Sequence, residues 1–492
     1  MRFQISLLFS FLSIFLISCE KEEEELINSL AETREETGTQ ASTELEVEQF
    51  VYRGMNDIYL YKEQVPSLAN NYFASKAERD DYLAGFNDPE NLFDALTYSQ
   101  DRFSFITDDY KALEERFDGV SSSTAGMDFG LGRISNSNNV FGYIRYVIPG
   151  TSADTENLER GMIFTEVNGQ ALTVNNYSSL LEANTMEINI GKIEDGKLIL
   201  SDKTVQLSRT EYTENPVHKN KVLNIGGKNI AYLMYNSFTG NFDTQLNAAF
   251  AEFKTGAVDE LILDLRYNGG GSVQSAIDLA SMITGQFEGE IFLKEQWNKK
   301  YQESFEANDP ERLLNRFDTK IRTGEAINSL NLSRVYVLTS RSTASASELI
   351  INGLEPYIDV VQVGDQTTGK FQASVTLYDS PDFGRSNANK NHTYAMQPLV
   401  FKSANANGKT DYINGLKPDI EYVENPGNLG ELGDPKEALL ANALNHIFGK
   451  APLKGSVEER KAAEKFKTIG ESGMNDINYQ RMYIESLPEL MN

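Results

Sequence analysis

The chain has 492 residues, of which 40% are hydrophobic and 24% are charged, and its formal net charge at pH 7 is −27. This length is enough for two to four domains with their own hydrophobic cores, and the composition is typical of globular proteins. The negative charge, which no basic cluster offsets, excludes nucleic acid as a partner because a phosphate-binding surface must be basic.

The N-terminus has the pattern of an export signal. Arg2 precedes an apolar run over residues 5–17, which is shorter than the roughly 20 residues that span a bilayer. Residues 16–19, LISC, resemble the lipobox of bacterial lipoproteins, which implies a signal peptide over residues 1–18 and a lipid on Cys19. Cys19 is the only cysteine, so no disulfide can form within one molecule. We therefore expect a lipid-anchored protein of the cell envelope, the alternative being an uncleaved anchor with an incidental cysteine.

Residues 19–46 are acidic and lack aromatic side chains, which predicts a solvated tether. An acidic run directly after a lipidated cysteine also resembles the surface-export signal of some Bacteroidetes lipoproteins. Over residues 47–118, apolar positions such as Phe50, Met55 and Ile58 recur at helical spacing, so we predict a small helical domain.

The next two regions differ in their pattern of apolar residues. Together with the helical region they predict an α+β multidomain fold. Residues 119–210 consist of short β runs such as GYIRYVI, separated by turn residues such as Pro149-Gly150. Over residues 215–450, continuous apolar strands alternate with amphipathic helices, which predicts an α/β sheet buried on both faces. Residues 451–492 are polar with scattered helical potential, and we interpret them as a C-terminal tail.

One corner of the α/β region, VYVLTSRSTASASELIINGL, is crowded with hydroxyl side chains. Ser345 and Glu348 fit a capping box at the start of the helix. Capping needs only one hydroxyl, so the remaining hydroxyls and the small residues beside them suggest that another chain, such as a substrate backbone, approaches closely.

Lys370 follows a strand in the sequence VGDQTTGKFQASV. A phosphate-binding loop would need Ser or Thr after the lysine and a helix beyond it, whereas Phe371 and a strand pattern follow here, which excludes nucleotide binding. One helix and one strand fit between Ser345 and Lys370, so both can lie at corresponding ends of neighbouring strands. A neutral lysine can act as general base for a serine once burial lowers its pKa, and the alternative is a plain Gly-Lys turn.

The other candidate groups are the histidines, an aspartate and a glycine turn. His218, His392 and His446 show no Ser-His-Asp arrangement, and we interpret them, like Asp264 in LILDLRYN, as structural. Residues 268–271, NGGG, can turn their backbone amides outward because glycine permits the required dihedrals, and such amides can stabilise an oxyanion. The alternative is a glycine turn with no role in chemistry.

The segments LDLRYNGGG, STASASELI, GDQTTGK and NGLKPDIEY together resemble the C-terminal processing peptidases, tail-specific Ser-Lys proteases of the crotonase-like fold. The resemblance implies that Ser345 is the nucleophile and Lys370 the general base. It implies an oxyanion hole made by the backbone amides of Gly270 and Ala346. Many members carry a glutamine four residues after the lysine to orient its amine, and Ser374, which stands there, is the candidate third catalytic residue.

The same resemblance implies a PDZ domain over residues 119–210, ahead of the protease domain. The segment GMDFGLG resembles the carboxylate-binding loop of that domain, which implies that backbone amides of Phe129, Gly130 and Leu131 hold a terminal carboxylate. No metal or cofactor is expected.

We therefore predict an exported serine endopeptidase that acts on protein or peptide substrates recognised by their C-terminal tails. One alternative is a lipoprotein that keeps the protease fold for peptide binding but is catalytically weak. Another is a crotonase-type acyl-CoA enzyme, which the PDZ-like segment and the export signal disfavour.

Overall fold

The computed structural model describes residues 45–453 and 466–488. The predicted signal peptide, Cys19 and the tether up to residue 44 lie outside the described residues. In the part of the chain that is described, no helix combines the length and the apolar composition needed to cross a bilayer.

The helical part (residues 45–118) packs onto the rest of the protein. It contains α1 (Glu46–Ile58), α2 (Lys76–Leu83), α3 (Pro89–Ala95), β1 (Phe105–Thr107) and α4 (Tyr110–Phe117). The spacing of Phe50, Val51, Met55 and Ile58 puts these side chains on one face of α1, and all four are buried. That face shares one hydrophobic cluster with strands and helices of the α/β part, so the helical part has no separate core of its own.

The β part (residues 119–213) is built around a twisted antiparallel sheet. Its elements are β2 (Val120–Thr124), β3 (Met127–Ile134), β4 (Val140–Val147), α5 (Ser152–Thr155), β5 (Ile163–Phe164), β6 (Glu166–Val167), β7 (Gln170–Ala171), α6 (Tyr177–Leu181), β8 (Thr185–Glu194), β9 (Lys197–Ser208) and β10 (Thr210–Thr213). β3 pairs with β4 on one side, and the sheet continues through β5, β8, β6 and β7.

The α/β part (residues 217–450) alternates strands and helices as its sequence predicts. Its elements are β11 (Val217–Ile225), β12 (Lys228–Tyr235), α7 (Asp243–Thr255), β13 (Glu260–Asp264), β14 (Gly271–Ser272), α8 (Val273–Ile283), β15 (Ile291–Trp297), α9 (Lys299–Asn308), β16 (Leu314–Arg316), β17 (Arg334–Thr339), α10 (Ala346–Leu354), β18 (Asp359–Gly364), β19 (Gln372–Val375), β20 (Leu377–Tyr378), β21 (Ala395–Gln397), β22 (Leu399–Ala404), β23 (Ile420–Glu421) and α11 (Ala438–Ile447).

The main sheet of the α/β part determines where the candidate site lies. Its strand order is β11-β12-β13-β17-β18-β23, and every pair from β12 onward is parallel. Parallel strands have their carboxyl ends at the same edge, where ligands bind in α/β sheets. The segments that follow β13, β17 and β18 are the glycine turn, the hydroxyl-rich corner and the Lys370 loop, so the fold brings all three to one edge.

The C-terminal segment (residues 466–485) forms strands instead of the scattered helix expected for the tail. β24 (Phe466–Glu471) adds to the free edge of β3, and β25 (Met482–Ile484) lies between β14 and β19 in the second sheet of the α/β part. β24 has few apolar residues, and β25 is only three residues long. Their partners are more than 100 residues away in the chain, so no local pattern announces them.

Candidate active site

Ser345 lies in the corner between β17 and α10, immediately before the first residue of the helix. Its backbone has φ +67° and ψ −116°, which residues other than glycine rarely adopt. Its side chain is fully buried, and the Oγ has no hydrogen-bond partner among the described residues. Backbone strain and an unpaired buried hydroxyl both cost stability, so this conformation points to a function.

Lys370 lies in the loop between β18 and β19, and its side chain is also fully buried. Its Nζ has no hydrogen-bond partner within the described part of the chain and sits 4.9 Å from the ring centroid of Phe103. Burial, assisted by the positive charge of Arg481, holds the pKa of Lys370 well below its usual value, against the weaker opposing effect of Asp101 and Glu348. A lysine in this environment favours the neutral amine, which is the form that can accept a proton.

The Glu348 carboxylate connects the two residues. Its Oε2 accepts the backbone N–H groups of both Ser345 and Lys370, each at 2.8 Å. Its Oε1 accepts the Gly369 N–H at 2.7 Å and the Thr367 hydroxyl at 2.5 Å. Only the carboxylate half of the predicted capping box makes its hydrogen bond, because Glu348 accepts the Ser345 N–H while the Ser345 Oγ has no partner among the described residues. One buried carboxylate thus holds the Ser345 corner and the Lys370 loop side by side.

The glycine turn after β13 packs against Ser345. Gly270 has φ +109°, and a Cβ built on it would lie 2.6 Å from Ser345 Cβ and 2.5 Å from the Arg481 carbonyl oxygen, so only glycine fits. The Gly270 N–H donates to Asn268 Oδ1 at 2.8 Å, within the turn. Ala346 is the first residue of α10, where backbone N–H groups have no partner inside the helix. The structure therefore places both predicted oxyanion donors beside Ser345, with the Gly270 amide engaged by Asn268.

Ser374 makes a different contact from the one expected of a residue that orients Lys370. Its Oγ donates to the Met482 carbonyl of β25 at 3.1 Å, and the Lys370 amine has no hydrogen-bond partner in the described structure. Ser374 and Lys370 are therefore not hydrogen bonded to each other. The orienting role stays a prediction, and here Ser374 fastens the C-terminal segment.

Phe129, Gly130 and Leu131 are strand residues and do not form the loop that GMDFGLG predicts. They belong to β3, whose ladder to β4 uses one edge and whose ladder to β24 uses the other. Gly130 pairs with Glu471, while the Phe129 N–H donates to Ser472 Oγ at 3.2 Å and the Phe129 carbonyl accepts the Ser472 N–H at 2.9 Å. The loop prediction is wrong because these alternating apolar positions pair on both edges. The edge of β3 that they occupy pairs with the chain's own C-terminal segment, and their peptide-binding role stays a prediction.

Sequence analysis did not single out three residues that surround Lys370. Asp101 and Phe103 come from the helical part, and Arg481 comes from the C-terminal segment, where its guanidinium donates to the Phe103 carbonyl. None of them belongs to a motif, and each reaches the site through tertiary packing across hundreds of residues.

The histidines and Asp264, which the sequence analysis interprets as structural, make packing contacts, hydrogen bonds or ion pairs. His218 packs against the Tyr146 ring, and burial lowers its pKa to about 4. His392 hydrogen bonds to an aspartate and His446 to a tyrosine, and no described hydrogen bond joins any histidine to Ser345. Asp264 pairs with the adjacent buried arginine at 2.8 Å. Over residues 45–453 and 466–488, no group of three His, Cys, Asp or Glu side chains could hold a metal ion.

Two family models match the chain. Residues 229–422 match Peptidase family S41, and residues 46–105 match the Peptidase S41 N-terminal domain. The first match contains the glycine turn, the Ser345 corner and the Lys370 loop, and the second covers α1 to the start of β1.

Similar proteins carry related descriptions. The carboxyl-terminal-processing protease of Picosynechococcus sp. is 27% identical over 180 residues, 37% of this chain and 38% of that protein. The chloroplastic C-terminal processing peptidase of Tetradesmus obliquus is 26% identical over 246 residues, 47% of this chain and 48% of that protein. The chain thus spans about half or less of the length of these curated relatives.

A solved structure covers more of the chain. It is the crystal structure of a protein from Bacteroides fragilis assigned to the S41 proteases, with 28% sequence identity and a TM-score of 0.64. The match covers 81% of this chain and 97% of that one.

Proposed function

Because the chain carries the domains of peptidase family S41, we propose that it is an exported serine endopeptidase with a Ser345–Lys370 dyad. This proposal rests on two buried side-chain atoms, Ser345 Oγ and Lys370 Nζ, which have no hydrogen-bond partner among the described residues. The backbone N–H groups of the same two residues donate to one oxygen of Glu348. Unpaired buried polar groups are rare in folded proteins, and two at one strand-end edge support a shared chemical task.

The proposed reaction is acyl transfer through a covalent intermediate. The neutral Lys370 amine takes the proton of the Ser345 hydroxyl as Oγ attacks the carbonyl carbon of the scissile peptide bond. The resulting ammonium returns that proton to the leaving amine, so the C–N bond breaks and an acyl-Ser345 ester remains. Water, deprotonated by the same amine, then hydrolyses the ester and regenerates both side chains.

The developing oxyanion would be stabilised by backbone amides beside Ser345. The Ala346 N–H lies at the start of α10, where the helix dipole also favours negative charge. The Gly270 N–H can contribute once it exchanges Asn268 Oδ1 for the oxyanion. We therefore propose that substrate binding reorganises the glycine turn.

Substrate selection is proposed to use the β part as a PDZ-like module. The edge of β3 already accepts an extended strand, which is the mode by which such modules add a peptide to a sheet. Main-chain hydrogen bonds would supply affinity, and apolar pockets beside β3 would supply preference for the substrate tail.

The location of the protein is proposed from its N-terminus. Cleavage before Cys19 and lipid attachment to its thiol would anchor the protein in the cell envelope. The acidic tether would then hold the catalytic part away from the bilayer, since its charge repels anionic head groups.

The proposal is tested by labelling and turnover together. Wild-type protein should react with a serine-directed phosphonate and cleave an unfolded protein, and Ser345→Ala should lose both, with turnover falling by orders of magnitude. Ser347→Ala is the matched control, since that hydroxyl donates to the Asn268 carbonyl at 3.1 Å and is not proposed to react. Retained turnover in Ser345→Ala contradicts the dyad. Peptide binding without labelling of the wild type favours the catalytically weak, peptide-binding lipoprotein.

A further inference from the structure

The C-terminal segment follows the path that a substrate would take. Its first strand, β24, lies antiparallel along β3, and residues 472–481 then cross toward the glycine turn before β25 enters the second sheet. The segment, the β part and the glycine turn enclose a cavity of about 510 Å³, with Gly270 and Arg145 among its lining residues.

β24 occupies the edge that the proposed function assigns to substrate tails. The ladder pairs Leu131 with Gly470 and Gly130 with Glu471, and Ser472 adds two hydrogen bonds to Phe129. These are main-chain bonds or bonds to a small hydroxyl, so an extended chain of another sequence could make nearly all of them.

A carboxylate anchors the end of β24. Glu471 accepts hydrogen bonds from the Arg145 guanidinium, the Ser342 hydroxyl and the Tyr479 hydroxyl. Arg145 has a side-chain exposure of only 7%, and its other carboxylate neighbour, Asp128, is 3.7 Å away. The segment therefore offers a negative group to a buried cation that lines the cavity.

Beyond this anchor the segment covers the candidate catalytic residues. The Arg481 carbonyl oxygen would lie 2.5 Å from a Cβ on Gly270, so it stands against the face of the turn that also contacts Ser345. The Gln480 side chain donates to Thr368 Oγ1 at 3.2 Å, beside the Lys370 loop. Ser345 and Lys370 both have 0% exposure with the segment in this position.

We propose that residues 466–481 are an intramolecular inhibitor, which a substrate tail must displace from β3 before the scissile bond can reach Ser345. This inference rests on the proposed function and adds a regulatory step to it. The inhibitor competes at high effective concentration because it is part of the same chain, so only tails that bind β3 well gain access.

The arrangement allows this exchange without unfolding the protein. β24 is an edge strand whose residues Lys467 and Thr468 are exposed, and residues 472–481 are half-buried or exposed, with none fully buried. Met482, by contrast, is fully buried between β14 and β19. β25 can therefore stay in its sheet while residues 466–481 detach.

A reversible lock tests the proposal. Arg133 and Lys467 are directly paired across β3 and β24, so Arg133→Cys with Lys467→Cys places two thiols opposite each other for a disulfide. The oxidised double variant should cleave an unfolded protein with a kcat/KM lower by about tenfold or more, because the tethered strand can no longer leave. Reduction with dithiothreitol should restore kcat/KM. In each single-cysteine variant, neither oxidation nor reduction should change kcat/KM. Equal rates in the oxidised and reduced double variant overturn the proposal.

A binding measurement separates this proposal from the proposed function. With Ser345→Ala added to the cysteine pair, a fluorescent peptide with the sequence of residues 466–473 should bind the reduced form more tightly than the oxidised form. A further outcome is that the cysteine pair with Ser345 intact cleaves protein in neither the oxidised nor the reduced form while this difference in binding persists. That result contradicts the proposed endopeptidase activity and supports a displaceable strand. Equal binding contradicts displacement.

A second variant covers the case in which the disulfide does not form. Glu471→Gln removes the charge that pairs with Arg145, which weakens the hold of β24 and should raise kcat/KM for an unfolded protein. Glu431→Gln, at an exposed carboxylate, is the matched control and should leave it unchanged. An unchanged or lower kcat/KM in Glu471→Gln contradicts the inhibitory role.

Discussion

The Lys370 side chain shows how strongly one buried amine depends on its neighbours. It has no hydrogen-bond partner among the described residues, and the nearby Arg481 adds positive charge to a fully buried site. Both effects favour the neutral form. A charged lysine here would cost stability, so the neutral amine is favoured while residues 466–481 cover the site, and burial under a bound substrate would favour it in the same way.

We predict that Lys370→Arg lowers kcat/KM by roughly three orders of magnitude or more, because a guanidinium cannot release its proton to act as a base. Lys370→Met keeps much of the stem without the charge and should be equally inactive but no less stable than the wild type. Turnover of an unfolded protein and thermal unfolding measure the two properties. Near wild-type turnover in either variant contradicts the dyad.

We also predict the direction of the pH dependence. The base works only as a neutral amine, so activity should fall as the pH drops below the pKa of Lys370. Because burial lowers that pKa well below its usual value, the limb of the kcat/KM profile should lie well below pH 10. A rate that rises only above about pH 10 would indicate an unperturbed lysine.

Gly130 illustrates how the structure changes the choice of an experiment. The β part leaves no room for a side chain there, since a Cβ on Gly130 would overlap the Tyr143 ring. A bulky substitution would therefore displace Tyr143 and damage the sheet, which makes it a poor probe of peptide binding. The pair of half-buried Arg133 and exposed Lys467 probes the same edge without that clash.

At the scale of elements, α10 joins the loops that carry the two residues of the proposed dyad. Its Glu348 accepts four hydrogen bonds, two on each oxygen, from the Ser345 corner and the Lys370 loop. The buried carboxylate of this helix thus fixes the two loops relative to each other, because both are hydrogen bonded to the same rigid element.

We predict that Glu348→Gln destabilises the protein by about 2–4 kcal/mol and lowers kcat, because the amide NH₂ would face two N–H donors in place of an acceptor. Glu348→Gln added to Lys370→Met should give no further loss of kcat, since Glu348 acts only by positioning the dyad. Glu355→Gln, near the end of the same helix and half exposed, is the control and should unfold like the wild type. Urea unfolding and steady-state kinetics make the comparison, and unchanged stability in Glu348→Gln would contradict the role.

At the scale of the whole molecule, a buried ion network connects the β part to the α/β part. Arg266 has no exposed surface and pairs with Glu437 and Glu424, each at 2.9 Å. Glu424 also pairs with Arg160 of the β part at 2.6 Å, and Arg160 donates to Tyr267 beside the glycine turn at 2.7 Å. The orientation of the β part is therefore tied to the edge that carries the site.

This network predicts how stability depends on pH. Burial opposes ionisation of Glu424, but the Arg160 and Arg266 charges outweigh it and lower its pKa to about 2. A carboxylate with a depressed folded-state pKa stabilises the protein above its unfolded pKa, and this stabilisation of about 3 kcal/mol is lost as the pH falls from about 4.5 toward 2. Glu424→Gln should therefore be less stable than the wild type at pH 7 and approach it in acid. Urea unfolding across this range, with Glu431→Gln as control, tests the prediction, and a difference independent of pH contradicts it.

The membrane attachment is a prediction about the complete chain, because Cys19 lies outside the described residues. Cys19→Ser should release the protein from the membrane fraction or block its processing, since no thiol remains for the lipid. Fractionation and the mass of the mature protein measure both. Unchanged fractionation and mass would exclude the lipid anchor.

Much of the fold and of the candidate site could be predicted from the sequence, because the signals are local. Apolar strands in alternation with amphipathic helices predicted the mixed α/β architecture, and apolar residues at helical spacing predicted the helical N-terminal part. The family resemblance is confirmed by the matches to Peptidase family S41. The sequence motifs identified the glycine turn, the Ser345 corner and the Lys370 loop. The parallel strand order then explains why these three motifs, separated in the chain, meet at one edge.

Only the tertiary structure decided what surrounds these motifs. Asp128 and Ser472 are 344 positions apart yet hydrogen bonded at 2.7 Å, and Phe103 reaches Lys370 from the other end of the chain. The sequence of residues 466–471 does not predict a strand. An added edge strand forms its main-chain hydrogen bonds with the sheet it joins, so it needs little apolar alternation of its own. Local sequence therefore determined the motifs that are proposed to react, and long-range pairing determined what covers them.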